Sequence, residues 1–463
     1  MKEKMNKDTI SFDLGCNFDY KLFEYIDEYD KKHSINSFFG KLKHDGMPGG
    51  RTASIVPDFT MDELAEYLKE CRKRDITFNY LINPLSMDQN EIDPEVGKQV
   101  REFIHTLYDI GIRAFTLNSP ILIKYVKREF KDIFVTLGLY AYPTTIQHIE
   151  YWRNWGVDEI TLDHGFNRKF GLLRRLLTQY KDTDLHLRVI ANNLCLRECP
   201  FRLAHGCFVG HSDPDKFSMD YSLVNCAYKK VTHPAAILTA EFIRPEDVHY
   251  YREIAEETGN KNFSIKLIDR TRTTEFLHRV IKSYMEESFD GNLLDIVNWP
   301  QSKTIATLPM NAKAGGPPAG MPPMGAGGPP AGAPSMGAGG PPTGMPPMGA
   351  GGPPAGAPPM RWFERLKPEA MMAYGRTMQL PKLYVDNKKL DGFLEHFIND
   401  NKCAESLCAS DILEDGQKAS NACAYCSTWA KKVITYDEEE VAQWKELCGS
   451  VLRSIEDISI YKY

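Results

Sequence analysis

The sequence contains no run of eighteen apolar residues, so no membrane-spanning helix is expected. Its opening, MKEKMNKDTISFDLG, has no apolar core like that of a signal peptide, and the expectation is a cytoplasmic protein. There is no basic excess either. A formal net charge of −6 argues against a chain that binds nucleic acid as a whole, although it leaves a local basic face open. No G-x-G-x-x-G follows a strand-like run, which removes the main support for a doubly wound dinucleotide fold. H-E-x-x-H and G-x-S-x-G are missing too, and with them two common hydrolase signatures.

What is present is ordinary in bulk and uneven in detail. A length of 463 residues allows two or three domains, and 42% hydrophobic with 25% charged residues is typical of a globular chain. Residues 313–360 carry a twelve-residue Gly/Pro/Met period, KAGGPPAGMPPM and its variants, without a strict Gly-X-Y repeat. Such a stretch buries too little to offset its chain entropy and reads as a disordered tether. A ligand for a proline-reading module is the sharper alternative. The tether divides residues 1–300 from a C-terminal region, 361–463, and would let that region swing.

Before the tether, strand-like runs occur at 9–15, 35–42, 77–83, 114–118, 134–140, 159–163, 186–193 and 263–269. Helical patterns lie between most of them. In TMDELAEYLKECRKR, Leu64, Leu68 and Cys71 share a stripe, and Thr60 and Glu63 have capping-box spacing. Eight such units predict an α/β protein, a (β/α)8 TIM-like barrel, with a doubly wound sheet as the runner-up. In such a barrel the chemistry sits at the C-terminal ends of the strands. Asn83, Asn118, Asp163 and Asp269 end theirs, although each also suits a plain helix cap or turn.

Eleven cysteines in a chain expected in a reducing compartment call for a reason other than disulfides. Cys195, Cys199, Cys207 and Cys226 form one group, and Cys403, Cys408, Cys423 and Cys426 another; Cys16, Cys71 and Cys448 stand alone. The first group begins at the end of the seventh strand, in NNLCLRECPFRLAHGC. Four thiolates suit Zn²⁺ or a [4Fe-4S] cluster, and the absence of a C-x2-C pair favours iron–sulfur over zinc. Cysteines packed as small apolar side chains are the alternative. C-x3-C also opens the radical S-adenosylmethionine motif, but a C-x2-C must then follow, and Arg202 stands where that cysteine is needed. The C-terminal group, C-x4-C then C-x2-C, predicts a metal knuckle, either structural zinc or a second iron–sulfur cluster relaying electrons.

The runs NNLCLRECPFRLAHGCFVGHS, AEFIRPEDVHYYREI and IKLIDRTRTTEFLHRV, with the earlier FFGKLKHDGMPGGRTAS and DITFNYLINP, resemble the peptidase U-32 family over nearly all of residues 8–297. The Cys-rich tail resembles an extension found on some members. The family was named for collagenase-like proteolysis. Its better understood members are oxygen-independent hydroxylases of a ubiquinone precursor or of tRNA and rRNA bases, with prephenate as the proposed hydroxyl source. Many carry a [4Fe-4S] cluster on a barrel. The resemblance carries Cys195, Cys199 and Cys226 over as cluster ligands. Cys207 competes with Cys16 for the fourth place and is preferred.

A carboxylate co-substrate needs arginine, whose planar fork meets it with two hydrogen bonds. Arg51, Arg202, Arg244, Arg270 and Arg272 are the candidates, against a reading in which they pair with neighbours, as Glu246 and Asp247 beside Arg244 suggest. His205 and His211 are candidate proton carriers, cluster-side donors or packing residues. Asn79 and Asn83 share one strand face and are candidates for substrate contact. The expected function is an iron–sulfur enzyme hydroxylating or otherwise oxidising an aromatic, peptide or nucleobase substrate. A prephenate-like anionic co-substrate and a protein partner or electron donor go with it. A peptidase ranks second, because a lone Cys nucleophile needs no three cysteine neighbours. A metal-dependent scaffold without catalysis ranks third.

Overall fold

The computed structural model describes residues 10–215, 219–300, 365–398, 403 and 423–462. The expected tether at 313–360 and Cys408 lie outside the described residues.

Eight parallel strands close into a barrel, β1 (Ser11–Gly15), β2 (Ile35–Gly40), β3 (Thr77–Ile82), β4 (Ala114–Leu117), β5 (Phe134–Leu137), β6 (Glu159–Thr161), β7 (His186–Ile190) and β8 (Phe263–Leu267). The last pairs with the first, Leu14 opposite Leu267. Each observed strand lies within the corresponding predicted run. A parallel neighbour requires a crossover, and helices supply it: α1 (Lys21–Tyr29), α2 (Met61–Lys73), α3 (Val96–Asp109), α4 (Pro120–Glu129), α5 (Ile146–Asn154) and α6 (Phe170–Tyr180). The capping box at Thr60 and Glu63 starts α2, and Leu64, Leu68 and Cys71 are buried on its inner face. The crossover from β7 to β8 is the longest. It holds α7 (Arg202–Gly210), α8 (Tyr221–Thr232), α9 (Ala235–Thr239) and α10 (Val248–Thr258), and α11 (Thr274–Glu286) follows β8.

Side chains alternate along a strand, so one set from each points into the barrel. Here that set is polar. Arg188 bonds Asp13 at 3.2 Å and Glu159 at 2.8 Å. Ser37 donates to Asp13, Thr136 to Glu159 at 2.9 Å, Asn79 to Thr136 at 2.9 Å, and Thr116 to Asn79 at 2.7 Å. A buried polar network is tolerated when its members are satisfied, and this one is closed on itself. Two residues further along the strands, Phe39, Leu81 and Ile190 form an apolar layer with Ile268, above the polar one and toward the C-terminal mouth.

The C-terminal region is docked on the barrel, where a swinging appendage was expected. A two-stranded antiparallel sheet, β9 (Leu383–Val385) with β10 (Ile434–Tyr436), is tied to the barrel through Asn292, which donates to Leu383 O at 3.0 Å and accepts from Val385 N at 2.9 Å. Helix Glu438–Glu456 lies along α8, with Tyr228 stacked on Trp444 and Tyr221 donating to Glu456 at 2.7 Å. Arg244, expected to bind substrate, is buried in this interface instead. It pairs with Asp247 at 2.8 Å and with Asp391 at 3.0 Å, and donates to Asn387 O at 2.8 Å. Its charge is neutralised by partners on both sides of the junction, so it clamps the two regions together.

Candidate active site at the barrel mouth

The cysteine stretch leaves β7 at the mouth and is fixed there by Asn192. This fully buried amide donates to Ile268 O and to Ile296 O (3.1 Å), and its Oδ1 accepts from Ile268 N at 2.7 Å. The loop start is thereby bolted to the exit of β8. Glu198, at φ 46°, takes the left-handed conformation that non-glycine residues rarely adopt, and the chain turns back just before Cys199. Cys195 keeps accessible surface although protein crowds it on most sides, so it lies in a recess.

Cys195, Cys199 and Cys226 come together. Cys226 on α8 pushes the thiol acidities of the other two in the same direction as burial does. Cys199 is raised to about 11, first by desolvation, then by Cys226 and Cys195. Lys230, one turn after Cys226, places its ammonium 3.1 Å from the Cys226 sulfur. Cys207 does not join them. It is exposed on α7, whose buried stripe is Gly206, Val209 and Gly210. His205, about 200° away around the helix from Cys207, turns toward the start of α8, where its Nδ1 meets Asp220 at 2.9 Å. Cys16, one residue past β1, turns its thiol toward α2 and not toward these cysteines. It is fully buried beside Tyr67, with its thiol pushed up to about 12 by desolvation. His211 is exposed at the end of α7.

Among the described residues, no three His, Cys, Asp or Glu groups stand close enough to hold a single metal ion. Thiols that sense one another at a wider spacing suit a cage that takes one thiolate per iron better than one tetrahedral zinc. Cys403, Cys423 and Cys426 line a second pocket, shared with Glu241 and with Arg197 from the middle of C-x3-C. Arg197 donates to Cys403 O at 2.7 Å, so the two cysteine groups are neighbours.

Around Cys195 lies a ring of charged and phenolic groups from different strand ends. Asp269, after β8, accepts from Arg51 at 3.1 Å, Arg272 at 3.2 Å and Thr271 at 2.9 Å. Two guanidiniums and the hydroxyl hold its carboxyl well below the usual carboxylate range, despite burial. Arg202 pairs with Asp163 after β6 and lies 4.2 Å over the Tyr142 ring. Tyr140 is pushed up to about 12, mainly by desolvation, with Arg51 opposing and Cys195 adding to the rise. Asn83 reaches the same space, its side chain against Gly50 in the loop that carries Arg51. Asn79, expected to contact substrate, is committed to the interior network below.

Arg270 differs from its neighbours. It is 3% exposed, and its two terminal nitrogens have no hydrogen-bond partner among the described residues. Desolvation and the charge of Arg51 lower its pKa to about 10. Two phenols escaped the sequence reading. Tyr140 and Tyr142 lie just past β5, and the strand-end rule that singled out Asp163 would have found them.

The profile of peptidase family U32 matches residues 50–167. An uncharacterized protease of Methanocaldococcus jannaschii is 25% identical over 273 residues, covering 58% of this chain and 77% of that protein. The structure of the U32 peptidase Mk0906 superposes with a TM-score of 0.40 at 13% identity, covering 58% of this chain and 96% of that one. None of the described helices is long and apolar enough to cross a membrane. The chain is thus similar to peptidase family U32, over residues 50–167 by the family profile and over 58% of its length by the M. jannaschii relative.

Proposed function

We propose that this protein is a redox enzyme that modifies an aromatic, peptide or nucleobase substrate without oxygen, hydroxylation being the leading case. In this reading a small carboxylate co-substrate binds at the barrel mouth beside an iron–sulfur cluster. The observation that carries it is the meeting of three thiols after β7, with an unpartnered buried guanidinium, Arg270, at the exit of the neighbouring β8. Cys195, Cys199 and Cys226 would hold the cluster, which supplies one-electron chemistry when bound.

The chain's own part follows from the geometry. A buried guanidinium without a partner is costly, and a carboxylate seated in its fork removes that cost while fixing the ligand's orientation. Arg51 and Arg272 are held by Asp269, so they shape the recess and tune its potential. Arg202 and Asp163 close another side. Asp220 engages Nδ1 of His205, which leaves Nε2 to take or give a proton. Tyr140 and Tyr142 keep their protons at neutral pH; Tyr142 donates its own to Arg202 O at 3.1 Å, which leaves Tyr140 as the donor toward an anion. The cysteines Cys403, Cys423 and Cys426 beside Arg197 would bind a second metal, zinc or iron–sulfur.

The test is purification under argon with iron and sulfide analysis. The expected protein is brown, with broad absorbance near about 400 nm, and Cys195→Ala, Cys199→Ala or Cys226→Ala removes it while Cys16→Ala and Cys207→Ala do not. A colourless protein with stoichiometric zinc overturns the reading. A second reading, a peptidase acting on exposed chain segments, is favoured by the name of the M. jannaschii relative. Cleavage of gelatin by metal-free protein would establish it in place of the first.

A further inference from the structure

The pocket between the barrel and the C-terminal region is lined by three thiols that the barrel chemistry does not use, Cys403, Cys423 and Cys426, together with Arg168, Arg197 and Glu241. Among the described residues, no three His, Cys, Asp or Glu groups stand close enough to hold one ion. Two of these thiols are placed to pair with each other instead. Cys423 precedes helix Tyr425–Val433, and Cys426 lies in its first turn. Ala424, between them, has φ −110° and ψ 13°, and its carbonyl accepts from Thr428 N at 3.0 Å. A chain that turns this tightly brings residues i and i+3 within about 7 Å, a separation that a disulfide can span.

The surroundings favour thiolate. The free N–H groups at the start of the helix present positive charge to both sulfurs. Arg197 brings Nη1 to 3.6 Å from the Cys403 sulfur. Arg168 is an independent sign that the pocket takes a negative group. It is 4% exposed, its terminal nitrogens donate to Leu238 O at 2.7 Å and Ala240 O at 2.8 Å, and its Nε has no hydrogen-bond partner among the described residues. Glu241, 3.8 Å from Arg197, is the one carboxylate in this lining, so two guanidiniums leave a positive excess. Burial then orders the pair: Cys423 is half-buried and Cys426 is 6% exposed. The outer thiolate can meet a second molecule, and the inner one meets only its neighbour.

We propose that this pocket is a thiol–disulfide exchange site for a small disulfide, with Cys423 as the attacking thiol and Cys426 as the resolving one. The Cys423 thiolate bonds to one sulfur of the incoming disulfide, whose S–S bond breaks with its electron pair leaving on the other sulfur. The Cys426 thiolate then attacks the Cys423 sulfur and expels the second half. The protons lost by the two protein thiols go to the two released thiolates. The protein pair is oxidised and the small disulfide is reduced. A metal on these cysteines requires their thiolates, so it and the internal disulfide exclude each other. The inference is independent of what the barrel mouth binds.

The test equilibrates the full-length protein with mixtures of reduced and oxidised glutathione, quenches by alkylation and maps the peptides by mass spectrometry. The expected result is that Cys423 and Cys426 lose alkylation together and appear as one internal disulfide, while Cys403 stays alkylated. In Cys426→Ser, glutathione remains on Cys423, at least about tenfold more than on Cys426 in Cys423→Ser. Mapping the wild-type disulfide needs no variant, so a misfolded substitution does not decide the outcome. Alkylation of both cysteines across the whole range overturns the proposal. A disulfide through Cys403 overturns it too, as does stoichiometric zinc that keeps all three thiols from oxidation. The barrel reading is judged by colour and iron, so the two fail separately.

Discussion

Arg188 and Arg270 are both buried arginines of one barrel, one within β7 and one just past β8, and they meet opposite circumstances. Arg188 is 1% exposed and bridges two carboxylates, with Thr161 accepting from it at 2.8 Å. Arg270 is 3% exposed and its terminal nitrogens meet nothing among the described residues. The same side chain, equally removed from water, is satisfied in the interior layer and unsatisfied in the mouth. A buried charge with all its partners in place serves the fold; one left without partners costs stability and is retained for what it binds. Lys266 on β8, 7% exposed with its ammonium nitrogen 3.9 Å over the ring of Phe39, follows Arg270 rather than Arg188.

That contrast can be broken by substitution. Arg188→Met leaves Asp13 and Glu159 facing each other unpaired, and stability should fall by about 3–5 kcal/mol in urea unfolding. A loss under about 1 kcal/mol would remove the distinction between the layers. Arg270→Met should leave stability unchanged or higher while weakening binding of a carboxylate probe, phenylpyruvate, roughly tenfold to a hundredfold, the worth of charge-assisted hydrogen bonds. Unchanged affinity would show that the recess is not the anion site.

Lys266→Met should stabilise by about 1–2 kcal/mol at neutral pH. The sign follows from linkage. The folded protein depresses this lysine's pKa, so between that depressed value and the ordinary one near about 10.4 the unfolded chain binds the extra proton. Wild-type stability from this group therefore rises with pH across that window, and the variant lacks the rise. Identical pH profiles for the two proteins would place an acidic partner on Lys266. The smallest effect serves as a yardstick away from both layers. Thr60→Ala removes the α2 capping box and should cost about 1 kcal/mol without altering ligand binding or colour.

Much of the barrel was legible because the strand signal is local. The runs are rich in apolar, β-branched and aromatic residues, and most are followed by a helical stripe. The strands came out shorter than expected, as with 134–140 against Phe134–Leu137, since pairing stops where the chain lifts toward the mouth. The site was legible only in part. Cys195 and Cys199 declare themselves by spacing. Cys207 has the same chemistry and nearly the same position, but helical phase turns it outward. Arg244 looked like a binding residue because its partners Asn387 and Asp391 arrive from more than a hundred residues away.

By itself, the sequence determined the alternation of strands and helices, the cap on α2, and the cysteine pair at the end of the seventh strand. Those features depend on neighbours within a few residues, where propensity and periodicity act. Only the tertiary structure decided which arginine stays unpartnered, which cysteines share a recess, and that the C-terminal region is docked. Arg270 and Arg272 are two residues apart and chemically identical. Asp269 accepts from Arg272 and Arg51, and only closure of the barrel, which brings the β2 loop to the end of β8, leaves Arg270 without an acid of its own.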